Sequence, residues 1–189
     1  MSGMIALGMA CCAYSEEAAK EKSAGYNNEA PLPEGWPDPG PFNEVSMKTY
    51  PAYRAAVADQ DGETRAFWTL FSHIKKNDIP MTAPVEMEMA NEDGDLEQQN
   101  MSFLYQNVNV GKAGPDGDNV EVKDVPKMKV LSYAWQGKKS DDQMGEVYTK
   151  LEKELEAKGL KAKSYRLLGY NGPRTPDREK TWELQAVLE

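Results

Sequence analysis

The sequence predicts an α+β fold in which two β-α-β-β units share one curved sheet, with a helix from each half packed against it. Three observations carry this. The stretch from Met47 to Ala56 aligns without gaps on the stretch from Val122 to Leu131, at an offset of 75 residues. A helical pattern follows each copy, and two more extended runs follow each helical pattern.

Each copy opens with a strand, a bend marked by Pro51 or Pro126, and a second strand. Proline has no N–H for a ladder, so it belongs at a bend, an edge or a bulge. In the first copy Phe67, Leu70, Phe71 and Ile74 fall at i, i+3, i+4, i+7 behind a candidate N-cap at Thr64; Met144, Val147, Tyr148 and Leu151 repeat the pattern behind Ser140 or Asp141. The second helix ends at Gly159 and carries Glu146/Lys150 and Glu154/Lys158 in the favourable i, i+4 order. Residues 81–89 and 101–110 then read as strands in the first half, and 161–168 and 181–188 in the second. From Val85 to Met89 the alternation is strict. It sets Met87 and Met89 on a core face and Glu86 and Glu88 on the other, read as the solvated side of an edge strand.

The chain of 189 residues with 40% hydrophobic content is enough for one compact domain. Residues 1–13 are apolar and small, and read as a signal or leader segment; residues 14–41 are Pro-rich and read as a disordered linker; the folded body spans 42–189. The leader points to an exported protein, periplasmic or secreted, with tethering to a membrane as a variant. Twenty-two basic against 31 acidic residues give a net charge of -9, which argues against a nucleic-acid partner. Cys11 and Cys12 are the only cysteines and His73 the only histidine. That excludes a Cys/His zinc site and a disulfide framework in the body. No run approaches the ~18 apolar residues of a transmembrane helix.

Phe67-Trp68-Thr69-Leu70-Phe71 and the following Ile79-Pro80-Met81-Thr82-Ala83-Pro84-Val85 resemble the SOUL/heme-binding-protein family. Tyr50-Pro51-Ala52-Tyr53-Arg54 resembles its first β-hairpin. Gly169-Tyr170-Asn171-Gly172-Pro173, leading through Pro176, Arg178 and Glu183, resembles its closing loop and last strand. The resemblance runs from residue 45 to 188. It implies a distorted β-barrel made of the two β-α-β-β repeats and flanked by two helices. It further implies non-covalent, reversible binding of heme or another tetrapyrrole in a shallow hydrophobic site by the first helix and the loop before the last strand. Some members carry a His just before the Tyr of the first hairpin, where this chain has Thr49.

The residues can be weighed on their own. At about 100° per residue, Phe67, Leu70, Ile74, Phe71 and Trp68 span an apolar arc of about 160°, wider than the ~100° one sheet contact needs. The Phe67/Trp68/Phe71 side therefore has area to spare, for a flat macrocycle or for a neighbouring loop. His73, as the sole imidazole, is the candidate axial metal ligand, set against a solvated or capping role at a helix end. Tetrapyrrole carboxylates need cations, and Lys75, Lys76, Arg174 and Arg178 are the candidates, with Arg178 alternatively pairing Glu183 or a neighbouring carboxylate. Asp-Gly pairs at Asp61, Asp93 and Asp116 read as turns rather than calcium loops.

The leading expectation is a non-enzymatic tetrapyrrole carrier or buffer. The same architecture is similar to GyrI-like small-molecule-binding or hydrolase domains. That alternative requires a pocket-lining acid such as Glu183, or a tyrosine such as Tyr148 or Tyr170; a filled interior would exclude it. A protein-interaction module using the aromatic helix face is the third possibility.

Overall fold

The structure, a computed structural model, describes residues 25–58, 62–92 and 95–189. The expected leader 1–13 lies outside the described residues, as does 14–24. In chain order the elements are β1 (Val45–Tyr50), β2 (Tyr53–Ala58), α1 (Glu63–Lys76), β3 (Val85–Glu92), β4 (Asp95–Leu104), β5 (Gly114–Pro115), β6 (Glu121–Val125), β7 (Met128–Gln136), α2 (Asp141–Lys158), β8 (Ala162–Gly169) and β9 (Thr181–Leu188). Nine strands form one sheet in the order β1-β7-β9-β8-β3-β4-β2-β6-β5, with every ladder antiparallel.

The order carries the duplication. Exchanging β1, β2, β3 and β4 for β6, β7, β8 and β9 turns the eight-strand order into its own reverse, with only the short β5 left over. Each opening strand pairs with the other half: β1 with β7, and β6 with β2. The expected first hairpin is therefore corrected. The strands flanking Pro51 do not pair with each other, because a two-residue link through a proline turns a corner instead of closing a ladder. The expected barrel is not closed by hydrogen bonds: among the described residues the ladder ends at β1 and β5. Two-residue corners at Pro51-Ala52 and Pro126-Lys127 link its two flanks covalently.

Both helices cover one face of the sheet, over a core that includes Leu70, Ile74, Phe103, Val147, Leu151 and Leu184. α2 keeps its predicted caps: Ser140 accepts from the Gln143 N–H at 3.3 Å, and Gly159 takes the left-handed conformation at φ 62°. Glu154 and Lys158 pair at 3.1 Å, whereas Lys150 reaches the Tyr133 hydroxyl and ring. α1 begins one residue before the predicted cap, behind Gly62.

The opposite face is covered by the segment expected to be a linker outside the fold. From Gly25 onward it lies on the sheet, with Trp36 buried against Tyr50 and Tyr53 at ring-centroid distances of 4.6 and 5.1 Å. Prolines that exclude helix and strand did not exclude packing, since one tryptophan brings enough apolar area to anchor the segment. β3 is likewise central, not an edge. Glu86 turns inward to accept from Arg166 and Tyr53, both at 2.8 Å.

Candidate functional site

α1 buries Ala66, Leu70, His73 and Ile74 against the sheet. The inward stripe is thus centred on Leu70 and His73, and the predicted arc was drawn too far round because it counted His73 as polar and omitted Ala66. Rotating the stripe takes His73 inside and turns Trp68 outward. Phe67 and Phe71 sit at the margin, and Trp68 is turned outward, 58% exposed. The three rings touch one another: Phe67 to Trp68 and Trp68 to Phe71 at 5.6 Å edge-on, Phe67 to Phe71 stacked at 6.2 Å.

His73 is not placed to ligate iron. Its ring is buried on the inward side, and both nitrogens are engaged, Nδ1 with Asp116 at 2.6 Å and Nε2 with the Tyr105 hydroxyl at 2.7 Å. A neutral imidazole satisfies both by donating from Nδ1 and accepting at Nε2. Hydrogen bonds from Lys76, His73 and Asn77 hold the Asp116 carboxyl down at about 2; burial, then the Asp116 charge, pushes Tyr105 up to about 12. This cluster ties the end of α1 to the loop around Asp116.

Phe67 and Trp68 form one wall of a cleft of about 310 Å³. Val85, Met87 and Met101 form its floor, and the loop from Gly169 to Pro173 with Trp182 its far wall. Gly169 is required there: a Cβ would stand 2.8 Å from the Trp182 ring. The loop is held from behind by the N-terminal segment, where Glu29 accepts from the Gly172 N–H at 2.8 Å and from the Thr175 hydroxyl, while Asn171 donates to the Asn27 carbonyl at 2.8 Å. Glu29, lowered by these bonds, is ionised at neutral pH.

The cations at this cleft differ in part from those expected. Lys180 lines it, paired with Asp177 at 2.8 Å. Lys139 stands over the Trp182 ring at 5.3 Å and reaches Glu63 at 3.3 Å. Lys75 is exposed and lies over Phe71 at 5.6 Å. Arg174 is exposed on the loop, and Arg178 pairs with the neighbouring carboxylate of Glu179 at 3.0 Å, one of the two structural pairings expected for it. Lys180 and Trp182 were readable as the residues closing the Gly169-Tyr170 loop. Their meeting with α1 was not, because it depends on which strands adjoin.

The family model described as SOUL heme-binding protein matches residues 36–183, from the buried Trp36 to Glu183. The chain belongs to the SOUL heme-binding protein family. No curated protein matches it. Among solved structures, the C-terminal domain of EcmrR is similar at TM-score 0.60 and 14% identity, over 77% of this chain and 97% of that one. Two Listeria innocua proteins are also similar: an uncharacterized conserved protein (TM-score 0.56, 14% identity, 79% and 94% covered) and a hydrolase (0.53, 13%, 79% and 94%). At such identities the likeness concerns the fold alone.

The acid that a GyrI-like hydrolase reading requires is present in this SOUL domain, but it is consumed. Glu183 is fully buried and accepts from Lys48 at 3.0 Å, Tyr50 at 2.8 Å, Gln185 at 2.5 Å, Tyr170 at 3.2 Å and Ser132. Burial, with the Glu183 charge second, raises Tyr50 and Tyr170 well above the ordinary phenol range. Beside them the Arg166 guanidinium lies against Tyr50 at 4.8 Å and Trp36 at 5.5 Å. Around Glu183 the sheet face is filled by the chain's own side chains.

Proposed function

We propose that the protein is a non-enzymatic binder of heme or a related tetrapyrrole, seated between α1 and the Gly169–Pro173 loop. The observation that supports this most directly is the outward Trp68 ring beside an apolar cleft whose rim carries cations. A volume of about 310 Å³ is at the small end for ligand sites, so a macrocycle would enter by one edge or face and remain partly exposed.

The residues suit the ring and its carboxylates more than the iron. Trp68, Phe67 and Trp182 offer faces for a flat π-system; Lys180 in the lining, and Lys139 beside it over Trp182, are half-buried and hold ion pairs to exposed acids that a ligand carboxylate can replace. No described residue lining the cleft has an imidazole or thiolate. Its sulfur atoms belong to Met87 and Met101, both buried. A bound heme would supply its own iron chemistry, while the chain covers one face, pairs the carboxylates and excludes water from the covered edge. Binding then depends little on iron. The apolar first residues and the absence of cysteine from the body support an exported carrier, which cell fractionation would test.

Hemin titrated into the purified protein should give a saturable Soret shift at micromolar concentration, and metal-free protoporphyrin IX should bind within about tenfold of it. Absence of saturation by both ligands would end the reading.

A further inference from the structure

On the face away from the helices lies a separate cleft of about 520 Å³. Its walls are aliphatic, with Ala55 and Val57 from β2 opposite Val187 from β9, and the corner of Pro126 to Met128 overhangs them. Unlike the cleft at Trp68, it has no exposed ring; Tyr53 in its lining is buried, and the Tyr165 ring turns to α2, where its hydroxyl donates to Glu152.

Charge marks it out. Lys127, Lys129 and Lys163 line it, exposed, and none makes an ion pair among the described residues, whereas Lys123, also lining it, pairs with Glu121 at 2.8 Å. Of the acids that also line it, Glu86 is taken by Arg166 and Tyr53, and Glu88 accepts from Asn100; Glu189 is exposed at the chain end. At the base the Arg166 side chain is only 4% exposed, and its Nη2 has no hydrogen-bond partner. A protein of net charge -9 thus places three ammonium groups without ion pairs along one trough, where Glu88 and Glu189 are the carboxylates not paired with a cation and Arg166 is balanced by Glu86. Like charges held together repel, and a bound anion relieves that repulsion.

We propose that this cleft binds the carboxylate of a single-chain amphiphile, its head among Lys127, Lys129 and Lys163 and its alkyl chain along Val57 and Val187. Aliphatic walls fit a flexible chain, as the aromatic walls of the other cleft fit a flat ring, so the two sites are independent.

Laurate titrated calorimetrically into the full chain tests it. Saturable micromolar binding is expected, weaker for octanoate and absent for dodecyltrimethylammonium. The triple variant Lys127→Glu, Lys129→Glu, Lys163→Glu should weaken laurate about tenfold or more. Lys112→Glu, Lys138→Glu, Lys153→Glu, with the same net charge, should weaken it less than about threefold. All six positions are exposed, so both proteins should keep their circular-dichroism spectra. Trp68→Ala should leave laurate binding intact. The proposal is overturned if laurate does not saturate, if the cationic detergent binds equally, if both triple variants lose equally, or if Trp68→Ala abolishes binding. None of these results bears on the tetrapyrrole titration.

Discussion

Trp68→Ala separates binding from folding. Fully covering a tryptophan removes about 150–250 Å² from water. With 58% of Trp68 exposed, about 90–145 Å² remains to be covered, and a ligand lying on one ring face takes roughly half of it. At about 25 cal/mol per Å² this is roughly 1–2 kcal/mol. Offset stacking adds about 0.5–1.5 kcal/mol. Truncation should therefore weaken tetrapyrrole binding by about 2–3 kcal/mol, or roughly 30- to 150-fold in Kd. The free protein loses only two edge-on contacts, with Phe67 and Phe71, and alanine is the better helix former, so stability should change by less than about 1 kcal/mol. Soret titration and urea unfolding of the same preparation give both numbers. A Kd change below about threefold with native stability would refute the placement of the ligand.

Three further outcomes are expected. Lys48→Met leaves a fully buried Glu183 carboxylate with neutral donors only, and should cost about 3–5 kcal/mol in urea unfolding; adding Glu183→Gln should recover most of it, and a single-variant loss below about 1 kcal/mol would contradict the role given to the pair. Asp116 has its folded value depressed from 3.8 to about 2, so its contribution is present above 3.8 and lost as pH falls toward 2; Asp116→Asn should flatten the stability–pH slope across that window, and an unchanged slope would rule this out. Gly169→Ala drives a methyl into Trp182 and should cost about 1–3 kcal/mol, shift tryptophan fluorescence and weaken tetrapyrrole binding, whereas unchanged fluorescence would mean that the ring moves freely.

What was legible in the sequence follows from how far each signal reaches along the chain. The 75-residue offset and the two helical patterns are local, and they produced the duplication and the α+β class. Strand partners are not local. Nothing near Pro51 says that β1 crosses to β7, so a hairpin was the natural reading of Tyr50 to Arg54. His73 misled for a related reason: its polarity argued for solvent, but Asp116 and Tyr105, 43 and 32 residues away, satisfy both ring nitrogens in the interior. Glu86 and Trp36 repeat the lesson, since an acid buries once an Arg166 is supplied from another strand, and a Pro-rich segment packs once a tryptophan finds Tyr50 and Tyr53. The aromatic margin of Phe67, Trp68 and Phe71 was legible because surplus apolar area on a helix is a property of the helix alone.

The duplication also supplies an internal control on Trp68. At the 77-residue offset between the helices, Thr64 falls on Asp141, Phe67 on Met144 and Trp68 on Gly145. A third cleft, of about 680 Å³, lies beside α2, lined by Asp141, Met144 and Gly145 with Lys139 and Leu167 from the same half, and by Asp95 to Gln99 with Gly62, Glu63 and Met89 from the other. The fold thus builds this position twice, and in one copy it needs no side chain at all, even at the ~1 kcal/mol that glycine costs a helix interior. Packing therefore does not account for an indole at the other copy, more than half in water and set against an apolar hollow. A ring that the scaffold does without in its other half, and that costs apolar exposure where it stands, supports the proposal that Trp68 meets a ligand.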